Sequence, residues 1–124
     1  MDVTPLIPVG RQVIDSYGRN SFHVSGAAYE GAILVFPELT RAWDIQGFAD
    51  VTAASLEPVI AHGNIRILLL GCGARQQRLP AELRLALHQA GIVVDAMDTG
   101  AACRTYNILL AEDRPVAAAL LPAR

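Results

Sequence analysis

Two short segments of the sequence carry residues that could bind a ligand or react. The first is Gly71-Cys72-Gly73, directly after an apolar run, and the second covers residues 98–107. Glycines let a ligand approach the backbone closely, and the free amide hydrogens of a helix start attract anions. We therefore expect a crevice between the two segments that could hold a small anionic ligand. Its candidate residues are Gly71, Cys72, Gly73, Asp98, Thr99, Cys103, Thr105, Tyr106 and Asn107.

Each of these candidates also has a structural interpretation. The glycines suit a tight turn that needs positive φ, Tyr106 suits a buried ring with a satisfied hydroxyl, and Asn107 suits a side chain that ties down a loop. Three nearby arginines could assist an anion, but arginines at such positions are usually solvated on the surface. These are Arg75, Arg78 and Arg104.

The two cysteines allow a redox hypothesis. Cys103 falls in the first turns of a predicted helix, where the helix dipole lowers a thiol pKa, and Cys72 is expected across the crevice from it. A reactive thiol or a transient Cys72–Cys103 pair is conceivable. The favoured interpretation is that each cysteine is a small buried apolar residue.

The sequence lacks the residues that several common catalytic and binding sites require. All ten basic residues are arginine, so a lysine Schiff base and a Walker A nucleotide site are excluded. Gln76 stands where a dinucleotide fingerprint needs its third glycine, and no Gly-x-Ser-x-Gly elbow occurs. The three histidines have no metal-ligand spacing, and Asp95 and Asp98 do not form an acid/base couple. We predict no metal and no cofactor, and the sequence leans against an enzyme.

The composition predicts one soluble domain over residues 1–124. Hydrophobic residues make up 52% of the chain and charged residues 18%, which is typical of a large core under a thinly charged surface. A net charge of −2 offers no field for a nucleic acid. We find no export signal and no membrane span in the sequence, so we expect a cytoplasmic protein with reduced thiols.

The elements that must position the crevice are predicted from periodicity and turn residues. In the first half, strands are predicted over residues 12–17, 21–25, 32–36 and 40–45, all in an antiparallel sheet. A short helix then carries Leu56, Val59 and Ile60 and ends at Gly63.

The second half alternates strands and helices. Strands at residues 65–70 and 92–96 enclose a helix from Pro80 to Gly91, so these two strands should be parallel. Thr99 is predicted to cap a third helix. Residues 116–121 form the closing strand, expected to run antiparallel to its neighbours.

Taken together, these segments resemble the Mth938-like family of small domains. The resemblance implies a three-layer α/β fold, with a central mixed sheet flanked by helices, a last antiparallel strand and a further antiparallel strand section from the amino-terminal half. Two positions depart from the family pattern: Cys72 where threonine is expected, and Asp113 where glycine is expected. The motifs that carry the resemblance are Tyr17-Gly18, Phe22, residues 29–35, 68–73 and 94–99, Ala101-Ala102-Cys103-Arg104-Thr105-Tyr106-Asn107, and residues 110–120.

Mitochondrial relatives of that family resemble assembly factors for the respiratory NADH dehydrogenase complex. The first hypothesis is therefore a non-catalytic protein-interaction or complex-assembly factor with a protein partner. The alternative is a small-molecule or anion-binding protein, or an enzyme, that uses the crevice. A redox role of Cys103 is the third hypothesis, and a homo-oligomer is compatible with each.

Overall fold

The computed structural model describes residues 10–123, which form two sheets and three α-helices in three layers. Residues 1–9, where the sequence predicts no export signal, and Arg124 lie outside the described residues. The amino-terminal strands β1 (Ile14–Tyr17), β2 (Ser21–Val24) and β3 (Ala27–Glu30) form an antiparallel three-stranded sheet, which we call the small sheet. The sequence did not predict β3.

The main sheet has five strands in the order β5-β4-β8-β6-β7. Its members are β4 (Ile33–Val35), β5 (Thr40–Ala42), β6 (Ile67–Gly71), β7 (Val93–Met97) and β8 (Val116–Leu120). Placing the first four predicted strands in one antiparallel sheet was therefore wrong, because β4 and β5 pair within the main sheet. The fold class, a mixed sheet flanked by helices with an added antiparallel section, is confirmed.

The strand directions follow from the connecting helices. The β6 and β7 strands pair in parallel, as predicted. The closing strand β8 was expected to be antiparallel to its neighbours, but it is antiparallel only to β4 and parallel to β6. Helix α3 returns the chain from the carboxyl end of β7 to the end of the sheet where β6 and β7 begin, so β8 runs in the same direction as β6.

Three helices cover the main sheet: α1 (Glu57–His62), α2 (Ala81–Gln89) and α3 (Thr99–Ala111). The short α1 has Pro58 in its first turn and ends at Gly63, whose φ of 87° is left-handed. On α2, Leu83 and Leu87 are buried as predicted, whereas Ala90 is exposed just after the helix. Within residues 10–123, no helix has the length and apolar character needed to cross a bilayer.

The core is divided by the main sheet into two clusters. Residues of β6 alternate between them: Leu68 and Leu70 pack towards α1 and α2, and Leu69 packs towards α3 and the small sheet. Apolar residues of the small sheet, including Phe22 and Val24, complete the second cluster. Helix α3 therefore lies between two sheets, while α2 packs against the main sheet alone.

Candidate functional site

The structure brings four of the predicted crevice residues together. Gly71 ends β6 and Gly73 lies just beyond it, while Asp98 and Thr99 follow β7, so the ends of these parallel strands meet as expected. Thr99 has no exposed surface, and its hydroxyl donates to the Leu121 carbonyl at 2.7 Å. The same oxygen accepts a hydrogen bond from the Gly73 amide at 2.8 Å. We call Gly71, Gly73, Thr99 and Leu121 the glycine–threonine junction.

The two glycines serve this junction for different reasons. A Cβ atom on Gly71 would lie 2.9 Å from Leu120 Cδ2 and 3.0 Å from Thr99 Oγ1, so the close approach of α3 to β6 requires a residue without a side chain. Gly73 instead has a φ of +96°, which glycine adopts without strain. Its carbonyl accepts the Thr99 amide at 2.9 Å. Both glycines thus have a structural reason, and ligand binding in the crevice stays a prediction.

The start of α3 corrects the predicted helix cap. Asp98, not Thr99, is the N-cap: its backbone is extended, and its Oδ1 accepts a hydrogen bond from the Ala101 amide at 2.9 Å. Thr99 is already the first helical residue, and its hydroxyl is used at the junction. Two amides of the first turn, those of Thr99 and Ala101, are therefore bonded within the protein.

The two thiols do not face each other. Cys72 belongs to the core cluster under α1 and α2 and Cys103 to the cluster under α3, so the main sheet separates them and the transient pair is contradicted. The lowered thiol pKa expected from the helix dipole is also wrong. Burial raises the pKa of Cys103 to about 12, and burial likewise raises the pKa of Cys72. Desolvation dominates because Cys103 is buried in the core, beyond the first turn of α3.

The remaining candidates lie two turns further along α3. At 1.5 Å per residue, residues 105–107 are about 9–12 Å from Thr99 along the helix axis. The Asn107 Oδ1 accepts from the Ile14 amide at 3.0 Å, and its Nδ2 donates to the Ile14 carbonyl at 2.8 Å. Asn107 thus ties α3 to the edge of the small sheet. Thr105 is half-buried beside it.

Tyr106 lies fully inside the second core cluster. Its hydroxyl has no hydrogen-bond partner within residues 10–123, contrary to the satisfied hydroxyl expected from the sequence. Burial raises the pKa of Tyr106, and the negative charge of Glu38 raises it further while Arg11 opposes the shift. The phenol therefore stays protonated at neutral pH.

Sequence reasoning missed a charged cleft at the opposite end of the sheet. This hollow of about 250 Å³ is lined by Arg11, Glu38, His62, Asp113 and Arg114 among others. Glu38 contacts His62 Nε2 at 2.6 Å and Arg11 at 3.8 Å, so most of the charges are paired with each other. The lining residues come from distant segments, and no local motif could have identified them.

A second missed feature is a groove beside α2. Two adjoining hollows of about 320 and 690 Å³ share Arg78, Leu79 and Arg84, and together reach from the exposed side of α2 to β7. We call this the arginine groove. Arg75 precedes it in the chain, whereas Arg104 lies elsewhere and donates to the Tyr17 hydroxyl. The density of arginine over residues 75–84 was a signal that could have found it.

Comparisons with known proteins agree on the fold and the relatives. Residues 14–121 match the family model described as a protein of unknown function (DUF498/DUF598). A Danio rerio protein named NADH dehydrogenase [ubiquinone] 1 alpha subcomplex assembly factor 3 is 38% identical over 111 residues, covering 89% of this chain but 64% of the relative.

Two solved structures superpose closely. A protein of Bordetella parapertussis is 39% identical with a TM-score of 0.85, covering 93% of this chain and 99% of that one. A Bordetella pertussis protein described as a Mth938-like domain is 31% identical with a TM-score of 0.84, covering 99% and 93%.

Proposed function

The chain belongs to the DUF498/DUF598 family, as its resemblance to Mth938-like domains predicted, and from this membership we propose that it is a non-catalytic complex-assembly factor. In this proposal it binds a protein partner in the cytoplasm during assembly of a respiratory NADH dehydrogenase. The relatives that carry the assembly-factor name support this role. The chain spans less than two thirds of the Danio rerio relative, so we assign the role of that whole protein to this chain only as a proposal.

The observation that carries the proposal is the internal use of polar groups at the glycine–threonine junction. The Thr99 hydroxyl is both donor and acceptor within the chain, and Asp98 caps α3. Catalysis requires polar groups that can reach a substrate. Here the same groups hold the ends of β6 and β7 against α3, which favours a binding scaffold over an enzyme.

The experiment is quantitative affinity capture of the tagged full chain from cells that make it, after mild chemical cross-linking. We expect NADH dehydrogenase subunits or their assembly intermediates to be enriched over an unrelated tagged domain of similar size. Deleting the gene should also lower the amount of assembled enzyme on native gels. Unchanged assembly together with no enrichment of these subunits would contradict the proposal.

The alternative function is binding of a small anion in the crevice of Gly71–Gly73 and residues 98–107. One backbone amide group favours it. The Gly100 amide at the start of α3 has no hydrogen-bond partner within residues 10–123, and Arg104 lies beside it. A thermal-shift screen with phosphate, nucleotides and carboxylates tests it, because a ligand at 100 times its Kd stabilises by about 2.7 kcal/mol. If none of these compounds raises the Tm, the alternative is contradicted.

A further inference from the structure

At the free edge of the main sheet, the outward backbone carbonyls are hydrogen-bonded within the described chain but the outward backbone amides are not. Strand β7 is the last strand, and the Val93 amide bonds to Arg66 on the β6 side, so Val94 and Ala96 direct their backbone groups outwards. Their carbonyls are covered: Arg84 donates to Val94 at 3.2 Å, and Gln76 donates to Ala96 at 3.0 Å. Their amides have no partner within the described range 10–123. This edge therefore offers donors but few free acceptors.

The adjoining face of α2 is apolar between cationic side chains. Leu83 and Leu87 turn into the core, whereas Leu85 points away from it and is 58% exposed. Leu85 and Ala81 line the groove together with Leu79, which is buried at 6% exposure. Single exposed leucines are common on the surface of monomeric proteins. Leu85 differs because it lies within a groove that is large enough to accept a side chain of a partner.

The positive charges of the groove outnumber the negative charge beside them, because Asp95 is the one carboxylate among its described lining residues. Arg11 and Arg114 lie within 4.0 Å of carboxylates, at 3.8 and 3.9 Å respectively. Within residues 10–123, no carboxylate lies that close to Arg75, Arg78 or Arg84, although the chain as a whole is acidic. His88 is a further exposed polar side chain in the lining of the groove. The groove thus keeps an excess of positive charge, because Arg78 and Arg84 outnumber Asp95 and neither lies within 4.0 Å of a carboxylate of the described chain.

From these three observations we propose that the arginine groove and the edge of β7 form the docking surface for an acidic, extended segment of a protein partner. Carbonyls of that segment accept hydrogen bonds from the amides of Val94 and Ala96. Its carboxylates pair with Arg78 and Arg84, and an apolar side chain packs on Leu85. Strand addition at a sheet edge provides affinity through the backbone, and side-chain pockets provide specificity.

This inference rests on the proposed function, since it names the kind of partner that an assembly factor of this shape would hold. A protein segment fits better than a nucleic acid because Leu79, Ala81 and Leu85 make the floor of the groove aliphatic, and His88 is the one aromatic ring among its described lining residues. The edge amides also require a regular series of backbone acceptors.

The test is an NMR titration of the ¹⁵N-labelled full chain with a short synthetic peptide that alternates glutamate and valine. We expect saturable shifts of the Val94, Ala96 and Leu85 amide resonances. The same peptide with lysine in place of glutamate should give no such shifts. Arg78→Glu should weaken the glutamate peptide about fivefold or more, because one attractive contact is replaced by a repulsive one.

Arg41→Glu is the matched control, since Arg41 is an exposed arginine on the other edge strand, β5, and lies outside the groove. This variant should bind the glutamate peptide as the unmodified chain does. No saturable shifts, shifts centred on another surface, equal binding of the lysine peptide, or equal weakening by both variants would each overturn the proposal. A single-stranded RNA that binds the groove more tightly than the glutamate peptide would overturn it too.

Failure of this inference and failure of the proposed function can be told apart. If captured NADH dehydrogenase subunits are equally abundant with the unmodified chain and with Arg78→Glu, the assembly role stands and the groove is not the docking surface. If the peptide binds as expected but no such subunits are enriched and assembly is unchanged, the surface stands and the assembly role is wrong.

Discussion

Helices α2 and α3 pack on opposite faces of the same sheet, yet they differ in how many of their polar side chains bond within the chain. On α3 and its cap, Asp98, Thr99 and Asn107 all bond to backbone groups of other segments or of the first turn. On α2 and the loop before it, Gln76 and Arg84 donate to carbonyls of β7, whereas Arg78 and His88 are exposed and have no hydrogen bond to the described chain. The polar side chains of α3 thus serve the fold, whereas α2 and the loop before it also present unbonded polar side chains to solvent.

The difference follows from the number of layers on each side. Helix α3 lies between the main sheet and the small sheet, so its polar side chains are close to unpaired backbone groups that must be satisfied. Helix α2 has a sheet on one side only and buries two leucines. Substitutions on α3 should therefore change stability, whereas those on α2 should change binding.

The largest effect is expected at Thr99. Thr99→Val keeps the shape of the side chain but leaves the Gly73 amide and the Leu121 carbonyl without their partner. Because each unsatisfied buried group costs about 1–3 kcal/mol, the free energy of unfolding should fall by about 2–4 kcal/mol in urea denaturation. Thr105→Val on the same helix is the control and should change it by less than about 1 kcal/mol. Equal effects would refute a special role of the junction.

A smaller loss is expected at Asn107. Asn107→Ala removes both hydrogen bonds to Ile14, and the free energy of unfolding should fall by about 1–3 kcal/mol, with partial relief from water at this half-buried site. The comparison variant is Asn20→Ala, in an exposed turn, which should be nearly neutral. Chemical denaturation measures both. If Asn107→Ala were as mild as Asn20→Ala, the link between α3 and the small sheet would not matter to stability.

The Cys103 thiol makes the interior of α3 sensitive to alkaline pH. Folding raises its pKa from 9.0 to about 12, so the unfolded chain loses this proton first as the pH rises. This contribution to stability is full below pH 9.0 and is lost between 9.0 and about 12. From about pH 8 to about pH 10, the free energy of unfolding of the unmodified chain should fall by about 1 kcal/mol more than that of Cys103→Ala. Ile108→Ala, exposed on the same helix, should keep the pH dependence of the unmodified chain; if Cys103→Ala keeps it too, the thiol is not the cause.

The smallest effect on stability is expected at Arg78. Arg78→Glu touches no hydrogen bond of the described chain and should change the free energy of unfolding by less than about 0.5 kcal/mol. Differential scanning calorimetry would detect a larger change. A loss comparable to that of Asn107→Ala would mean that the groove, like α3, serves the fold, and the contrast between the two helices would disappear.

The sequence was most informative where a single local signal decides the structure. The unbroken apolar run of β6 and the helix after Pro80 predicted the parallel pairing with β7 and the meeting of Gly71 with Thr99. Strand β3 escaped prediction because Ala27 and Ala28 are exposed and give no alternation of apolar and polar residues.

Other features depend on distant parts of the chain. Asp98 and Thr99 are both good N-cap residues, and only the fold decides which one the junction uses. The direction of β8 depends on where α3 returns the chain to the sheet. The arginine groove forms because Arg84 of α2 reaches across to β7, a contact between separate elements that no spacing in the sequence encodes.

The paired hydrogen bonds between Asn107 and Ile14 also bear on how the molecule opens. The small sheet cannot swing away from the helix without exposing both backbone groups of Ile14, and α3 cannot unwind past its second turn without releasing them. The two segments, almost a hundred positions apart in the chain, therefore form one cooperative unit of local unfolding. In native-state hydrogen exchange, the Ile14 amide should exchange at the rate of the interior of α3 rather than at the rate of an edge strand.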